Sequence, residues 1–169
     1  MKKIIIVVAG TTPKPFEDVL RDVAWTWVIN PKKLLKPLIQ KVSQYVDEGD
    51  VEDFTSKVLS LRKKYSFERK YVEENIERFK IDESPVKEYG EKTFDTFVLC
   101  VEDVSLKTLK WLVEEGAYSI YVGNRETHTE FLGDGKPLYD FVLNYDDEDF
   151  EISVHRIVNI LAGKQQEAY

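Results

Sequence analysis

Lys2-Lys3-Ile4-Ile5-Ile6-Val7-Val8-Ala9-Gly10-Thr11-Thr12-Pro13-Lys14-Pro15-Phe16 opens the chain. Ile4 to Val8 are five consecutive β-branched residues, a continuous apolar run. Such a run suits a strand buried on both faces, as in a parallel sheet covered by helices. Gly10 then allows a sharp turn, and apolar residues at helical spacing begin at Phe16. A buried strand, a glycine and a helix in that order is where α/β proteins place a phosphate, because free N–H groups converge there.

The loop departs from the pattern that would hold one. A P-loop reads G-x-x-x-x-G-K-[ST], with amides around the phosphates, a lysine reaching them and a hydroxyl on magnesium. Counted from Gly10, the second glycine falls on Pro15, the lysine on Phe16 and the hydroxyl on Glu17. Pro13 and Pro15 carry no N–H, so two donors are lost from the cradle. Glu17 adds negative charge near a helix N-terminus, where an anion would otherwise sit. Gly10, Thr11, Thr12 and Lys14 remain as anion contacts; otherwise this is a tight turn in which Pro13 or Pro15 starts the helix.

Composition sets the outer bounds. A chain of 169 residues fits one domain, 1–169, with a core of its own. Its 43% hydrophobic and 33% charged residues are those of a globular chain. A net charge of −7 argues against a general nucleic-acid or anionic-membrane surface. Cys100 is the one cysteine, so neither an internal disulfide nor a multi-cysteine zinc site can form; its strand context predicts a buried small hydrophobe. The apolar opening is too short for a secretion signal or a membrane span, which predicts a cytoplasmic protein.

Apolar residues at helical spacing predict a helix from Phe16 to Val28, ended by Asn30-Pro31, and a second to about Val46 with Pro37 in its early part. A third is predicted around Phe54 to Leu61 and a fourth from Phe67 to Phe79 behind a Ser66 cap, so that 16–80 is a helical insertion after strand 1. Ile81 to Lys92 is a charged, proline-containing connection. The rest, 94–162, alternates: a strand from Phe94 to Val101, a helix from Ser105 to Glu115 stopped by Gly116, and a strand from Ala117 to Val122. A long loop to Leu138, a short strand from Asp140 to Leu143 and a helix from Asp147 to Ala162 complete it. The predicted fold is a three-layer α/β/α domain on a parallel sheet of four or five strands. Its ligand site is expected at the carboxyl ends of the strands: Gly10 to Lys14, Glu102-Asp103, Gly123 to Arg125, and Asn144-Tyr145. No G-x-G-x-x-G follows the first strand, which argues against a dinucleotide-binding site.

Residues 94 to 161 resemble the C-terminal half of P-loop nucleotide kinases, in particular phage-type deoxynucleoside monophosphate kinases. Thr96-Phe97-Val98-Leu99-Cys100-Val101-Glu102-Asp103 is similar to that family's apolar strand with an acidic end. Leu109 to Gly116 and then Ala117 to Val122 resemble its helix, glycine and strand. Arg125 stands where its lid begins, and Thr127-His128-Thr129-Glu130 resembles the lid's His-x-Ser-Glu. Tyr139 to Asn144 resembles the strand before its last helix. The resemblance covers about 40% of the chain plus the strand–glycine opening. The P-loop is degenerate, and Ser105 stands where the family has an arginine.

The resemblance implies a nucleotide-binding protein, and phosphoryl transfer from ATP to a nucleoside monophosphate if activity is retained. Mg²⁺ would then sit on Glu102 and Asp103, with Lys14, Arg125 and Asp103 as catalytic groups. Lacking the P-loop lysine, the phosphates would also need an arginine from the helical half, Arg62 or Arg69. Gly10, Thr11, Thr12, Arg69, His128, Glu130 and Asn144 would contact the nucleotide. Several of these residues have plainer roles: Asp103 as a helix cap, Arg125 as a solvated loop residue and Asn144 as a strand end; Trp25, Trp27 and Trp111 offer rings for stacking on a base, with core packing expected of at least two of them. The alternative function is a pseudokinase, a binding or regulatory module with a protein partner or as a homodimer.

Overall fold

The computed structural model describes residues 2–10, 13–33, 67–83, 94–123 and 134–163. In chain order the elements are β1 (Lys2–Gly10), α1 (Pro13–Arg21), β2 (Trp25–Ile29), α2 (Phe67–Ile81), β3 (Thr96–Glu102), α3 (Leu106–Glu114), β4 (Tyr118–Gly123), β5 (Phe141–Asn144) and α4 (Phe150–Leu161). The strands form one five-stranded sheet, in the order β2-β3-β1-β4-β5. Every pairing is parallel. This is neither the dinucleotide-binding nor the flavodoxin-like strand order; it is an all-parallel five-stranded sheet with helices on both faces, the α/β/α arrangement the sequence predicts.

Strand alternation divides the core between two faces. Ile4, Ile6 and Val8 of β1 pack with Val98 and Cys100 against Phe16 and Leu20 of α1 and Val154, Ile157 and Leu161 of α4. On the other face, Val7 joins Phe97, Leu99 and Val101, under Val72 and Phe79 of α2 and Leu109 and Leu112 of α3. Crossover handedness accounts for this partition. The β1-to-β2 connection runs across the sheet in one direction, whereas β2-to-β3 and β3-to-β4 run in the other. Right-handed crossovers therefore put α1 on one face and α2 and α3 on the opposite one. Cys100 is fully buried, which pushes its thiol well above the ordinary range and leaves it a small hydrophobe.

The first strand, the last three strands and the helices α2, α3 and α4 lie where the sequence places them. One prediction fails. The helix from Phe16 stops at Arg21, its last carbonyls taking the N–H groups of Asp22, Val23 and Ala24. Trp25–Ile29 is an edge strand, paired from Trp25↔Phe97 to Ile29↔Val101. The 16–80 region is thus not wholly helical. Trp25 packs edge-on to Phe94 and Trp27 against Phe79, so both are packing residues, as expected, but on a strand. The helices predicted to Val46 and around Phe54 to Leu61 lie outside the described residues, apart from a helical turn at 31–33. No helix among the described residues is long and apolar enough to cross a membrane.

Lys3 closes the C-terminal end of α2. Its Nζ donates to the Phe79 and Lys80 carbonyls, each at 2.7 Å, and lies over the Phe79 and Phe97 rings. These are carbonyls that a helix end leaves without intrahelical partners. Lys3→Met keeps the apolar stem and removes the donors. It is expected to lower stability by about 1 kcal/mol, read from the urea midpoint at unchanged m-value.

Candidate functional site

At the carboxyl ends of the strands, β1 continues into α1 on one face and β3 into α3 on the other. The crevice between them is the switch point at which open α/β sheets bind ligands. Register sets what meets there. Val8 is opposite Glu102 on one side of β3, and Ile29 opposite Val101 on the other, so Asn30 arrives beside Glu102. On its other edge β1 pairs Gly10 with Val122.

Gly10 has φ +116°, and a Cβ there would stand 1.9 Å from the Val122 carbonyl oxygen. Close approach of β4 thus demands the glycine whether or not a phosphate binds. The helix that follows begins at Pro13, the helix-starting role expected of a first-turn proline. Lys14 is exposed and donates to Asp18 at 2.8 Å. Thr11 and Thr12 lie outside the described residues.

Glu17 and Glu102 are the most unusual pair. Glu17 is 9% exposed and takes the Arg21 guanidinium at 3.0 Å. Glu102 is 2% exposed and its Oε1 is buried with no partner among the described residues. Burial, then the hydrogen bond and charge of Glu17, push the Glu102 carboxyl up to about 7, against the opposing pull of Lys33 and Asn30. Burial also works to raise Glu17, but its hydrogen bonds with Glu102 and Arg21 outweigh that and hold it below the ordinary range. The pair therefore favours a protonated Glu102 beside an ionised Glu17.

Asn30 ties the ends of β2 and β3 together. Its Nδ2 donates to Asp103 Oδ2 at 2.7 Å, and its Oδ1 accepts the Lys33 N–H at 3.2 Å, capping the turn at 31–33. Asp103 has φ +54°, and is the one non-glycine residue with positive φ among those described. It does not cap α3. Ser105 does, accepting the Thr108 N–H, while Glu68 of α2 accepts both the Ser105 N–H (2.9 Å) and hydroxyl (2.7 Å). The position where the resemblance expects an arginine is therefore a helix cap locked by a buried carboxylate.

Other predicted residues turn elsewhere. Arg69 pairs with Glu73 at 3.0 Å and its guanidinium lies 4.4 Å from the centre of the Trp111 ring. Asn144 ends β5 and its Oδ1 accepts the Asp146 N–H, the plainer of its two expected roles. Arg62, Arg125, His128 and Glu130 lie outside the described residues. The described site therefore joins Gly10, Glu102 and Asp103 with Glu17 and Asn30, neither of which was singled out as a ligand contact. The signal for Asn30 was present: Asn-Pro after a β-prone run is an N-cap followed by proline at the first helical position.

Magnesium with a nucleoside triphosphate, held in the P-loop manner, does not fit these residues. Glu17 replaces the metal-binding hydroxyl and hydrogen-bonds with Glu102, Asp103 Oδ2 is taken by Asn30, and two first-turn amides are prolines. Among the described residues, no group of three or more His, Cys, Asp or Glu side chains could hold a metal ion.

No protein-family model matches the chain, and no curated protein matches it. Among solved structures it is similar to a de novo designed protein of P-loop NTPase fold, determined by NMR in solution. The two share 16% identity over 100% of this chain and 99% of that one, with a TM-score of 0.41.

Proposed function

We propose that the chain is a nucleotide-binding module related to deoxynucleoside monophosphate kinases, with its ligand at the strand-end crevice and without phosphoryl transfer. The observation that carries this reading is the first turn of α1. Pro13 and Pro15 withhold their amides, and Glu17 closes onto Glu102 where a kinase would set a hydroxyl and a carboxylate around magnesium. The switch-point geometry and the resemblance of 94–161 support the binding half of the proposal. Such a module acts through what it binds: a nucleotide or nucleoside monophosphate, and a protein partner or second copy that reads the bound state.

The competing reading is an active kinase using ATP and Mg²⁺, with Lys14 and Arg125 supplying positive charge. Lys14 is engaged with Asp18, which counts against it. Phosphate-transfer assays with ATP, Mg²⁺ and each common nucleoside monophosphate separate the two. The expected result is saturable monophosphate binding with no turnover above the buffer rate. Magnesium-dependent turnover that Glu102→Gln abolishes would establish the kinase instead.

A further inference from the structure

We propose that Asn30 is the positioning residue of the strand-end site, and that the site takes the nucleoside part of its ligand, through hydroxyl or amino donors, rather than the phosphate. This rests on the nucleotide-binding reading and specifies which half of the ligand is held. Asn30 is 8% exposed and uses both ends of its amide, one on Asp103 and one on the turn at 31–33. It thereby orients the side chain of Asp103, whose backbone is left-handed, a conformation uncommon outside glycine though more accessible to Asp than to most residues, and one that concentrates at ligand sites.

The groups gathered there are acceptors. Asp103 spends one carboxylate oxygen on Asn30, and beside it Glu102 Oε1 is buried without a partner among the described residues. A buried acceptor without a donor is costly, and a ligand hydroxyl or amino group supplies one. A phosphate offers mainly acceptors and negative charge, and would meet Glu17 and Asp103 without the amides that Pro13 and Pro15 lack. Arg21 and Lys14 are already engaged with Glu17 and Asp18.

The test uses the full chain, with thymidine, 3′-deoxythymidine, adenosine, the matching monophosphates and inorganic phosphate as probes, by calorimetry and thermal shift. At least one nucleoside is expected to bind within about tenfold of its monophosphate, and inorganic phosphate to give no shift. Asn30→Asp keeps an acceptor for the Lys33 N–H but loses the donor to Asp103. It should weaken nucleoside binding about tenfold or more and erase any preference for the 3′-hydroxyl, which a purely structural cap would leave alone. Asp103→Gly accepts the left-handed backbone freely, which offsets the loss of the acceptor for Asn30, so its melting temperature should change little while binding is lost. If monophosphates and inorganic phosphate bind and nucleosides do not, the nucleotide reading stands and this inference falls. If Asn30→Asp and Asp103→Gly both bind as the wild type does, the role of Asn30 is refuted. If neither nucleosides nor nucleotides bind, both readings fall.

Discussion

Gly10→Ala is expected to destabilise the protein by roughly 2–4 kcal/mol, the combined cost of overpacking and a strained backbone. The added methyl would stand 1.9 Å from the Val122 carbonyl oxygen at φ +116°. The neighbour is sheet backbone, paired in register with Gly10 itself, so it cannot swing aside as a side chain would. For a chain of this size the loss corresponds to roughly 5–15 °C in melting temperature. A calorimetric scan of wild type and variant without ligand measures it. A change below about 1 °C would mean that β1 and β4 do not approach as described, and the glycine would then need a ligand-based explanation.

The second large effect is a fall in stability as pH rises toward neutrality. Glu102 titrates near 4.5 when unfolded and near 7 when folded. Folding therefore favours its protonated form. That contribution is complete below pH 4.5 and is lost as pH rises through about 7. The difference of about 2.5 units corresponds to about 3 kcal/mol at most. Glu17 has the opposite sign: held below its ordinary value, it contributes stability that is lost as pH falls below 4.5. The pair as a whole is most favourable in mildly acid solution. Glu102→Gln keeps the shape, donates to ionised Glu17 and does not titrate. It should abolish most of the decline between pH 5 and 8, and at pH 8 should melt above the wild type by roughly 5–10 °C. Equal slopes for the two proteins in urea melts across that range would contradict a protonated Glu102.

How much of this was legible in sequence depends on whether a signal was local. Ile4 to Val8 reads as a doubly buried strand because both faces are apolar, and it is one, with Ile6 under α1 and Val7 under α2 and α3. The edge strand was missed because Phe16, Val19, Leu20, Val23, Ala24, Trp27 and Val28 fit a helix repeat without a break. Trp25-Thr26-Trp27-Val28-Ile29, rich in aromatic and β-branched residues, carried the competing signal. Strand pairing with β3 decided between the two, and such pairing is not encoded locally. The same error hid Asn30, read as the end of a helix when it is the end of a strand and the start of a helical turn. Glu17 was legible as a P-loop departure, but its burial against Glu102 depends on α1 docking over β3. Arg69 illustrates the converse: a plausible phosphate ligand by residue type, it is drawn onto Trp111 by a ring that sequence spacing does not reveal.

A thermal-shift titration of the wild-type chain with nucleoside mono-, di- and triphosphates, with and without magnesium, tests the central claim most directly. A ligand that binds only the folded state raises the melting temperature above its dissociation constant. Binding at the strand ends without P-loop chemistry predicts a shift with monophosphate that magnesium does not change, and no added shift with ATP. A magnesium-dependent shift with ATP that exceeds the monophosphate shift would contradict it, and would mean that the loop at Gly10 holds phosphates by a route its prolines do not suggest.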